Sequence, residues 1–264
     1  MKCISPKGIR YGLALLMLPA LAVAKPAHAQ QSDFGVPGET IVTPNSIVVA
    51  DPSANEIVSK VLAENKRRNE RLPSYSVTRI YQIQTLEGKL AAQTVVRMDY
   101  RSPDAKTFEK TSEKGSGIVR HLVFDRLMDS ESESSTGKEH RDSALTPANY
   151  DFSFVGVEDV GLYHCFVLRV APKRKDKYLF EGKIWIDSQD FAVAKIAGHP
   201  AKKPSFWINR ADFVREYQKV DEFWLPLRDE TQVEVKIYGK RVLTIEHGPY
   251  VFPDQAQAKT DPAN

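Results

Sequence analysis

The sequence contains only two cysteines among its 264 residues. Cys3 precedes an apolar run at the N-terminus, and Cys165 stands alone in the second half of the chain. The N-terminal run has the pattern of a cleaved signal peptide, as argued below. Its removal would leave one thiol, so no intramolecular disulfide could form. The sequence therefore excludes a small scaffold held together by disulfides, so a hydrophobic core has to stabilise the fold.

Motifs of the common enzyme classes are also missing. The sequence has no nucleophile elbow, Walker loop, dinucleotide-binding fingerprint, H-E-x-x-H pair or paired C-x-x-C. Its six histidines are scattered, and none belongs to a local cluster with the spacing of metal ligands. We therefore predict a binding protein rather than an enzyme, with no catalytic residue, metal site or cofactor.

An excess of charge of one sign is absent once the N-terminus is set aside. The chain has 37 Lys and Arg residues against 34 Asp and Glu. Lys2, Lys7, Arg10 and Lys25 lie within residues 1–29, which contain no acid, so the remainder is nearly neutral. The basic character of the whole chain therefore does not indicate a nucleic-acid partner, and we predict none.

The longest apolar run, residues 13–24, is too short to span a membrane. It follows basic residues and precedes Ala27-His28-Ala29, which is the arrangement of a secretory signal peptide. We predict cleavage after Ala29 and export to a bacterial periplasm as a soluble protein. Cys3 lies before the run, so it cannot be the lipidated cysteine of a lipoprotein.

Composition divides the chain into four predicted segments. Residues 1–29 are the signal peptide, and residues 30–52, rich in Gly, Pro, Ser and Thr, form an extended arm. Residues 53–252 form one domain, and residues 253–264 form a disordered tail. Within the domain, the Ser- and Glu-rich stretch at 129–147 is predicted as a mobile loop.

Alternation of apolar and polar residues dominates the domain. In residues 178–198, two alternating segments flank a polar turn, and Phe180, Ile184 and Ile186 share one face. Similar segments recur, and their short polar connections leave no room for βαβ crossovers. We predict one antiparallel sheet of about ten or eleven strands, at residues 74–84, 91–100, 106–114, 151–157, 163–171, 178–187, 191–198, 206–219, 222–227, 230–238 and 241–246.

Two segments differ from this pattern. Ser53 and Glu56 form a capping box, which predicts a helix that ends near Arg71, before Pro73. Its apolar residues occupy one stripe in the first half of the helix. Residues 118–128 carry apolar residues at three- and four-residue spacing, which favours a short helix, with a strand as the alternative.

Several stretches together resemble the LolA/LolB-like superfamily of lipoprotein carriers and outer-membrane lipoprotein-sorting proteins. They are the signal peptide, the early amphipathic helix, the hairpin at 81–100, the strand pair at 182–196 and Phe223-Trp224-Leu225-Pro226 with the closing hairpin. The resemblance spans residues 53–252. It implies a mainly β fold with α, in which a large curved antiparallel sheet forms an unclosed half-barrel and helices cover its concave face.

Carriers of this superfamily hold acyl chains on the covered face, and the resemblance implies the same here. Alternation then selects the candidate lining of an apolar cavity: Tyr75, Val77, Tyr81, Ile83, Phe152, Phe154, Phe166, Leu168, Ile184 and Ile186. The candidate lid residues are Ile57, Val61, Leu122 and Phe124, with Arg101 at the place of an arginine that affects lid closure in the carriers. A fully packed core is the alternative to a cavity.

Two polar or amphipathic features leave alternatives open. Arg79 interrupts the apolar face of Tyr75, Val77 and Tyr81, where it can reach the sheet edge or serve a ligand. Three large aromatic side chains either pack on a sheet face or line an apolar site: Trp185, Trp207 and Trp224.

The resemblance implies a periplasmic carrier that binds acyl chains of lipoproteins or lipids for transport towards the outer membrane. Its partners would be transient inner- and outer-membrane proteins. An envelope lipid-sensing or regulatory interaction module on the same fold is the alternative. Removing an acyl chain of about 16 carbons from water is worth about 12 kcal/mol, so an apolar face under a displaceable helix is sufficient and no catalytic residue is needed.

Overall fold

The computed structural model describes residues 53–103, 105–133, 143–176, 178–203, 208–236 and 239–253. The predicted signal peptide, the arm at 30–52, residues 134–142 of the predicted loop and the tail beyond residue 253 lie outside the described residues. Within the described ranges, no helix has both the length and the apolar content needed to cross a membrane.

The described residues form ten strands of a single sheet. They are β1 Tyr75–Gln84, β2 Leu90–Arg101, β3 Ala105–Gly115, β4 Tyr150–Val160, β5 Tyr163–Pro172, β6 Phe180–Asp187, β7 Val193–Pro200, β8 Ile208–Val220, β9 Phe223–Val235 and β10 Gly239–Val251. The strand order is β3-β2-β1-β10-β9-β8-β7-β6-β5-β4, and every pairing is antiparallel. In the part of the chain described, the edges β3 and β4 do not pair with each other, so the predicted unclosed half-barrel is confirmed.

Two predicted strands are joined into one in the structure. Residues 222–227 and 230–238 were predicted as two strands, with the charged residues Arg228 and Asp229 between them. The structure joins them in β9, since Arg215 on β8 pairs with Asp229 across the sheet. A register shift between Glu216 and Tyr217 accompanies the position of Pro226, as expected for a proline within a strand.

Helix α1 (Ala54–Arg71) confirms the first predicted helix and its start. The Ser53 hydroxyl accepts a hydrogen bond from the Glu56 amide at 3.3 Å, and the Glu56 carboxylate accepts one from the Ser53 amide at 2.9 Å. This reciprocal pair satisfies two of the amides that a helix N-terminus leaves unbonded. The side of α1 that faces the sheet is buried at Ile57, Val58 and Val61.

The second covering element is helical, as favoured over a strand. It consists of α2 (Gly117–Val119), one π-helical segment (Arg120–Asp125) and α3 (Arg126–Glu133), which we call together the composite helix. It continues into the predicted loop, so the loop prediction was wrong for residues 129–133. The Ser- and Glu-rich composition resembles that of a disordered segment, but Glu131 has two cationic partners beneath the helix.

The far side of the predicted loop is also ordered. Ser143, Ala144 and Leu145 are buried, and Leu145 packs in the core beneath α1. Lys173 and Arg174 hold this segment by donating to the Pro147 carbonyl and the Asn149 side chain at 2.6 and 2.7 Å. A mobile loop was therefore the wrong prediction for residues 143–147 as well.

Candidate functional site

One row of side chains crosses the concave face of the sheet from the β4 edge to β1. Residues directly opposite each other on paired strands lie on the same face, and the strand register pairs each member of the row with the next. The row is apolar at both ends and charged in the middle. Its members are Phe154, Leu168, Ile184, Ile196, Arg215, Asp229, Ile245 and Tyr81.

We call strands β4–β7 with α1 the α1 half. Ile57, Val58 and Val61 of α1 pack there in a core cluster of buried apolar side chains. Six of the ten predicted lining residues lie in this half. Leu168, Ile184 and Ile186 are buried, whereas Phe152, Phe154 and Phe166 are only partly buried.

The partly buried rings form a continuous aromatic strip, which consists of Phe154, Phe166 and Phe191. The ring centroids of Phe154 and Phe166 are 6.4 Å apart, and those of Phe166 and Phe191 are 6.1 Å apart. The Lys60 ammonium on α1 lies 4.7 Å from the Phe191 ring centroid. The aromatic strip therefore runs beside α1. Part of its apolar surface stays exposed to solvent, because the apolar stripe of α1 is too narrow to bury it.

We call strands β1–β3 and β10 with the composite helix the composite-helix half. Phe124 and Leu127 are completely buried and pack against Tyr81 and Ile245. The ring centroids of Tyr81 and Phe124 lie 5.8 Å apart. The predicted residues Tyr81, Ile83 and Phe124 come together in this half, and the helix fills the space above them.

Two predicted lining residues belong to a third cluster. Tyr75 and Val77 pack with Tyr100 and Tyr250 at the end of the sheet where β1 begins. The Tyr75 ring stacks on Tyr100 with a centroid separation of 4.9 Å and meets Tyr250 edge-on at 5.2 Å. Neither covering helix supplies a side chain to this cluster among the described residues.

A buried ion-pair network connects the composite helix to the sheet. The Glu131 carboxylate lies 2.8 Å from the Arg79 guanidinium and 2.8 Å from the Lys106 ammonium. Arg79 also donates to the Tyr81 hydroxyl at 3.4 Å and lies over the Phe108 ring. Burial disfavours the charged carboxylate, but the two cations outweigh this and hold the pKa of Glu131 well below its ordinary value.

A second network lies next to it in the middle of the sheet. Asp229 accepts a hydrogen bond from Arg215 and lies 3.2 Å from His247, whose other ring nitrogen is 3.3 Å from the Tyr250 hydroxyl. Burial would raise the pKa of Asp229, yet Arg215 and His247 lower it. Burial is the largest influence on His247 and lowers the pKa of its ring, although Asp229 opposes this.

Together the two networks form what we call the polar belt. Arg79 is the cross-strand neighbour of His247, so the networks are contiguous. Within the row, Arg215 and Asp229 lie between the apolar surface of the α1 half and that of the composite-helix half, whereas the other members of the belt lie in the composite-helix half. The members of the polar belt are Arg79, Lys106, Glu131, Arg215, Asp229 and His247.

Two predicted lid residues lie outside the covered face. Leu122 is 48% exposed because it shares the outer side of the composite helix with Ile118, opposite the buried Phe124 and Leu127. Arg101 is exposed at the end of β2. Arg79, which interrupts the apolar alternation, is the arginine that the structure places beneath the cover.

Trp185 lies on the face opposite the cover, and Trp224 lies beside the turn between β6 and β7. Trp185 alternates with the concave Ile184 and Ile186 and donates to Glu158 at 2.8 Å. Trp224 donates to Asp190 at 2.9 Å and packs against Tyr163. Trp207 lies outside the described residues. Trp185 therefore packs on the face away from the concave site, and Trp224 packs against Tyr163 beside a turn.

Sequence reasoning missed most of the polar belt. Arg79 carried a signal, since it breaks an apolar face. Glu131, Arg215, Asp229 and His247 carried none, because single charged residues in strands and Ser-rich segments ordinarily face solvent. Only a partner from a distant strand distinguishes a buried ion pair from a solvated charge.

Open pockets occur on both sides of the sheet, and two of them bear on the site. One, of about 400 Å³, lies on the convex face around Gly182, Gly198 and Trp185. The other, of about 450 Å³, lies between the second half of α1 and the turn at residues 189–191, and Phe191 connects it to the aromatic strip. No group of three or more His, Cys, Asp or Glu residues in the described ranges could hold a metal ion.

Comparison with solved structures finds proteins of similar architecture. A LolA-superfamily protein of Nitrosomonas europaea is 10% identical over 80% of this chain and 99% of its own, with a TM-score of 0.39. A DUF1329 family protein of Desulfovibrio piger is 12% identical over 76% and 93%, with a TM-score of 0.40. A putative outer membrane lipoprotein-sorting protein domain of Vibrio parahaemolyticus is 11% identical over 74% and 91%, with a TM-score of 0.41.

The superfamily that the sequence resembles is thus among these structures. At such TM-scores the likeness supports no argument about function, which has to come from the site itself. No curated protein matches the sequence. A family model, described as a family of unknown function, DUF5686, matches residues 60–245. Because this match spans more than half of the chain, the protein belongs to the DUF5686 family.

Proposed function

We propose that this protein binds the acyl chain of a lipid or lipoprotein on the α1 half of its concave face. The supporting observation is the aromatic strip, whose rings remain partly exposed beside a helix that contacts the sheet through a narrow apolar stripe. An acyl chain placed between α1 and the β4 edge covers this surface. Leu168 and Ile184 then form the floor of the site.

The energetics favour such an occupant. An acyl chain of about 16 carbons gains on the order of 12 kcal/mol when it leaves water. This transfer free energy exceeds the burial free energy that α1 would lose if its three buried apolar side chains moved aside. Burial of each such side chain is worth about 1.5–3 kcal/mol. The pocket beside Phe191 opens next to the aromatic strip, and its α1 side carries the charged residues Lys60, Glu64 and Arg67, so it is a place for the polar head of the ligand and not for its methylene chain.

The polar belt limits the site. A methylene chain placed against Arg215 and Asp229 would remove water from charged groups without replacing their hydrogen bonds. The proposal therefore confines the acyl chain to the α1 half. Of the predicted residues it retains Phe152, Phe154, Phe166, Leu168, Ile184, Ile186, Ile57 and Val61.

The cellular role is part of the same proposal. With the predicted signal peptide, an acyl-binding chain acts as a periplasmic carrier that moves lipoproteins or lipids towards the outer membrane. Transient protein partners in the two membranes would load and unload it. The site performs no bond-making step, since binding and release are sufficient for transport.

The test is titration of the purified protein with a fluorescent fatty-acyl probe. We expect saturable binding of one probe per protein, and a Phe154→Glu variant is expected to weaken it by more than about tenfold because a charge would enter the apolar site. Val155→Glu is the matched control. Val155 follows Phe154 on the same strand and is 48% exposed, so its replacement should leave binding unchanged.

Three outcomes have distinct meanings. No saturable binding to the folded protein contradicts the proposal, and equal losses in the two variants contradict the placement of the site. If the probe binds but is never passed to acceptor vesicles, the alternative of a lipid-sensing module is favoured over a carrier.

A further inference from the structure

The antiparallel sheet gathers basic loops at one end. The β5–β6, β7–β8 and β9–β10 connections all lie at the same end, and consecutive ones are two strands, or about 10 Å, apart. Each of the three connections contributes exposed cations. They are Lys175, then Lys202 and Lys203, then Lys236 and Lys240. Lys173 and Arg174 also lie there, but they pair with Asp151 and Asp176 at 3.4 and 3.7 Å. We call this the basic end.

The opposite end carries the reverse charge. Its hairpins β4–β5, β6–β7 and β8–β9 place Asp159, Asp190, Asp221 and Glu222 at or beside their turns. Cations lie there too: Lys219 pairs with Asp190 at 2.6 Å, Arg71 pairs with Glu222 at 2.7 Å, and Arg101 is exposed in the β2–β3 connection. A chain that is nearly neutral in total therefore separates its charges along the strand direction.

Exposed aliphatic side chains also lie at the basic end. Leu86 and Leu90 belong to the β1–β2 hairpin and are 51% and 39% exposed, and Ile118 and Leu122 at the start of the composite helix are 74% and 48% exposed. The Ser116 amide donates to the Ala91 carbonyl at 2.9 Å, which holds the two elements side by side. Lys89 and Lys114 are exposed beside them.

We propose that the basic end is a docking surface for an anionic lipid bilayer. Clustered lysines are attracted to the negative surface potential of such a membrane, and protruding Leu and Ile side chains enter the boundary between headgroups and acyl chains. The opposite end is repelled by the same surface, so the strands stand away from the membrane. Leu162, although fully exposed, lies beside Asp159 at the opposite end and takes no part.

Nucleic acid fits these residues less well. Proteins that bind single strands stack bases on exposed aromatic rings, and none of the exposed large hydrophobic side chains in the described ranges is aromatic. An acidic protein partner would use the lysines but would not require four aliphatic side chains on two separate elements. The combination of cations with aliphatic tips is the chemistry of a membrane interface.

The test is sedimentation of the purified protein with vesicles. We expect binding to phosphatidylcholine vesicles that contain about 30% phosphatidylglycerol and little binding to pure phosphatidylcholine. Raising the salt from about 50 to about 500 mM should weaken the binding strongly, because exposed charges are then screened. Absence of binding to the anionic vesicles at low salt overturns the proposal.

Charge-reversal variants locate the surface. Lys175→Glu/Lys202→Glu/Lys203→Glu should weaken vesicle binding by at least about tenfold, since each lysine near an anionic membrane contributes about 1 kcal/mol. The matched control is the triple variant Lys66→Glu/Arg67→Glu/Arg97→Glu. It changes the net charge by the same amount, but its three residues are exposed away from the basic end. Equal losses in the two variants would show non-specific attraction and overturn the assignment.

The aliphatic contribution is tested separately. Ile118→Ser/Leu86→Ser should weaken binding to the anionic vesicles by several-fold while the salt dependence remains, and Leu162→Ser should have no effect. An unchanged affinity in the double variant contradicts membrane insertion. The vesicle assay contains no acyl probe, and Phe154→Glu should still bind vesicles, so failure of this proposal is distinguishable from failure of acyl-chain binding.

Discussion

The α1 half and the composite-helix half share one sheet but hold their covers differently. α1 is held by three buried aliphatic side chains and by Arg68, which donates to the main-chain carbonyls of Asp190 and Phe191 at 2.8 and 3.3 Å. The composite helix is held by fully buried Phe124 and Leu127 and by the Glu131 carboxylate between two cations.

This difference indicates which half can admit a ligand. A buried carboxylate is tolerated only with its partners in place, so separating the composite helix from the sheet would leave uncompensated charges. The contacts that Ile57, Val58 and Val61 of α1 make in the core are apolar, and an acyl chain can replace them. We therefore expect the composite-helix half to be the rigid half of the domain and the α1 half to be the adaptable one.

The largest expected effect is loss of the charge on Glu131. Glu131→Gln should lower the free energy of unfolding by about 3–5 kcal/mol, because the buried Arg79 and the half-buried Lys106 would lose their carboxylate partner. Chemical denaturation measures the change. Asp129→Asn is the control on the same helix, since Asp129 is exposed. A loss below about 1 kcal/mol would mean that the ion pair does not hold this cover.

Replacing one phenylalanine in each half by alanine compares how tightly the two halves are packed. Phe124→Ala should cost about 3–5 kcal/mol, because a completely buried ring leaves a cavity. Phe154→Ala should cost roughly half as much, since its ring is only partly buried. Thermal or chemical unfolding of the two variants gives the ratio, and equal losses would show that the α1 half is as tightly filled as the other.

The anchor of α1 is expected to have a smaller and more local effect. Arg68→Met keeps the aliphatic stem but removes the hydrogen bonds to two main-chain carbonyls, at a cost of about 1–3 kcal/mol. Hydrogen exchange should become faster in the second half of α1 and unchanged in the composite helix. Arg67→Met is the control, because Arg67 is exposed and pairs only with Glu64 among its described partners. Faster exchange in both covers would mean that the two halves open together.

The smallest effect concerns the protonation of His247. Its pKa is lowered in the folded protein, mainly by burial, so the unfolded chain binds the proton more readily. Its contribution to stability is therefore present above the ordinary histidine pKa of about 6.5 and is lost as the pH falls below it. A His247→Gln variant should show a flatter dependence of unfolding free energy on pH between about 7 and 5.

The stabilisation that Glu131 provides depends on pH in a lower range than that of His247. The folded pKa of Glu131 is depressed, so its stabilisation is present above about pH 4.3 and is lost only as the pH falls further. A wild-type profile that is flat between about pH 7 and 5 would contradict a lowered pKa of His247 in the folded protein.

The outline of the fold was predictable because its signals are local. Period-2 alternation located the strands, and the capping box at Ser53 located the start of α1. The apolar positions Leu168, Ile184 and Ile186 were correctly placed on the covered side, since alternation along one strand decides which residues share a face.

The polar belt, the extension of the composite helix and the charge separation between the two ends depended on the tertiary structure. Asp229 looks like part of a turn until Arg215 on the next strand pairs with it, and Glu131 looks solvated until Arg79 and Lys106 surround it. The lysines of the basic end are far apart in sequence and become neighbours only through antiparallel pairing. A short sequence pattern indicates the secondary structure of a segment and which of its side chains share a face. The environment of a charged side chain depends instead on which distant strand lies beside it.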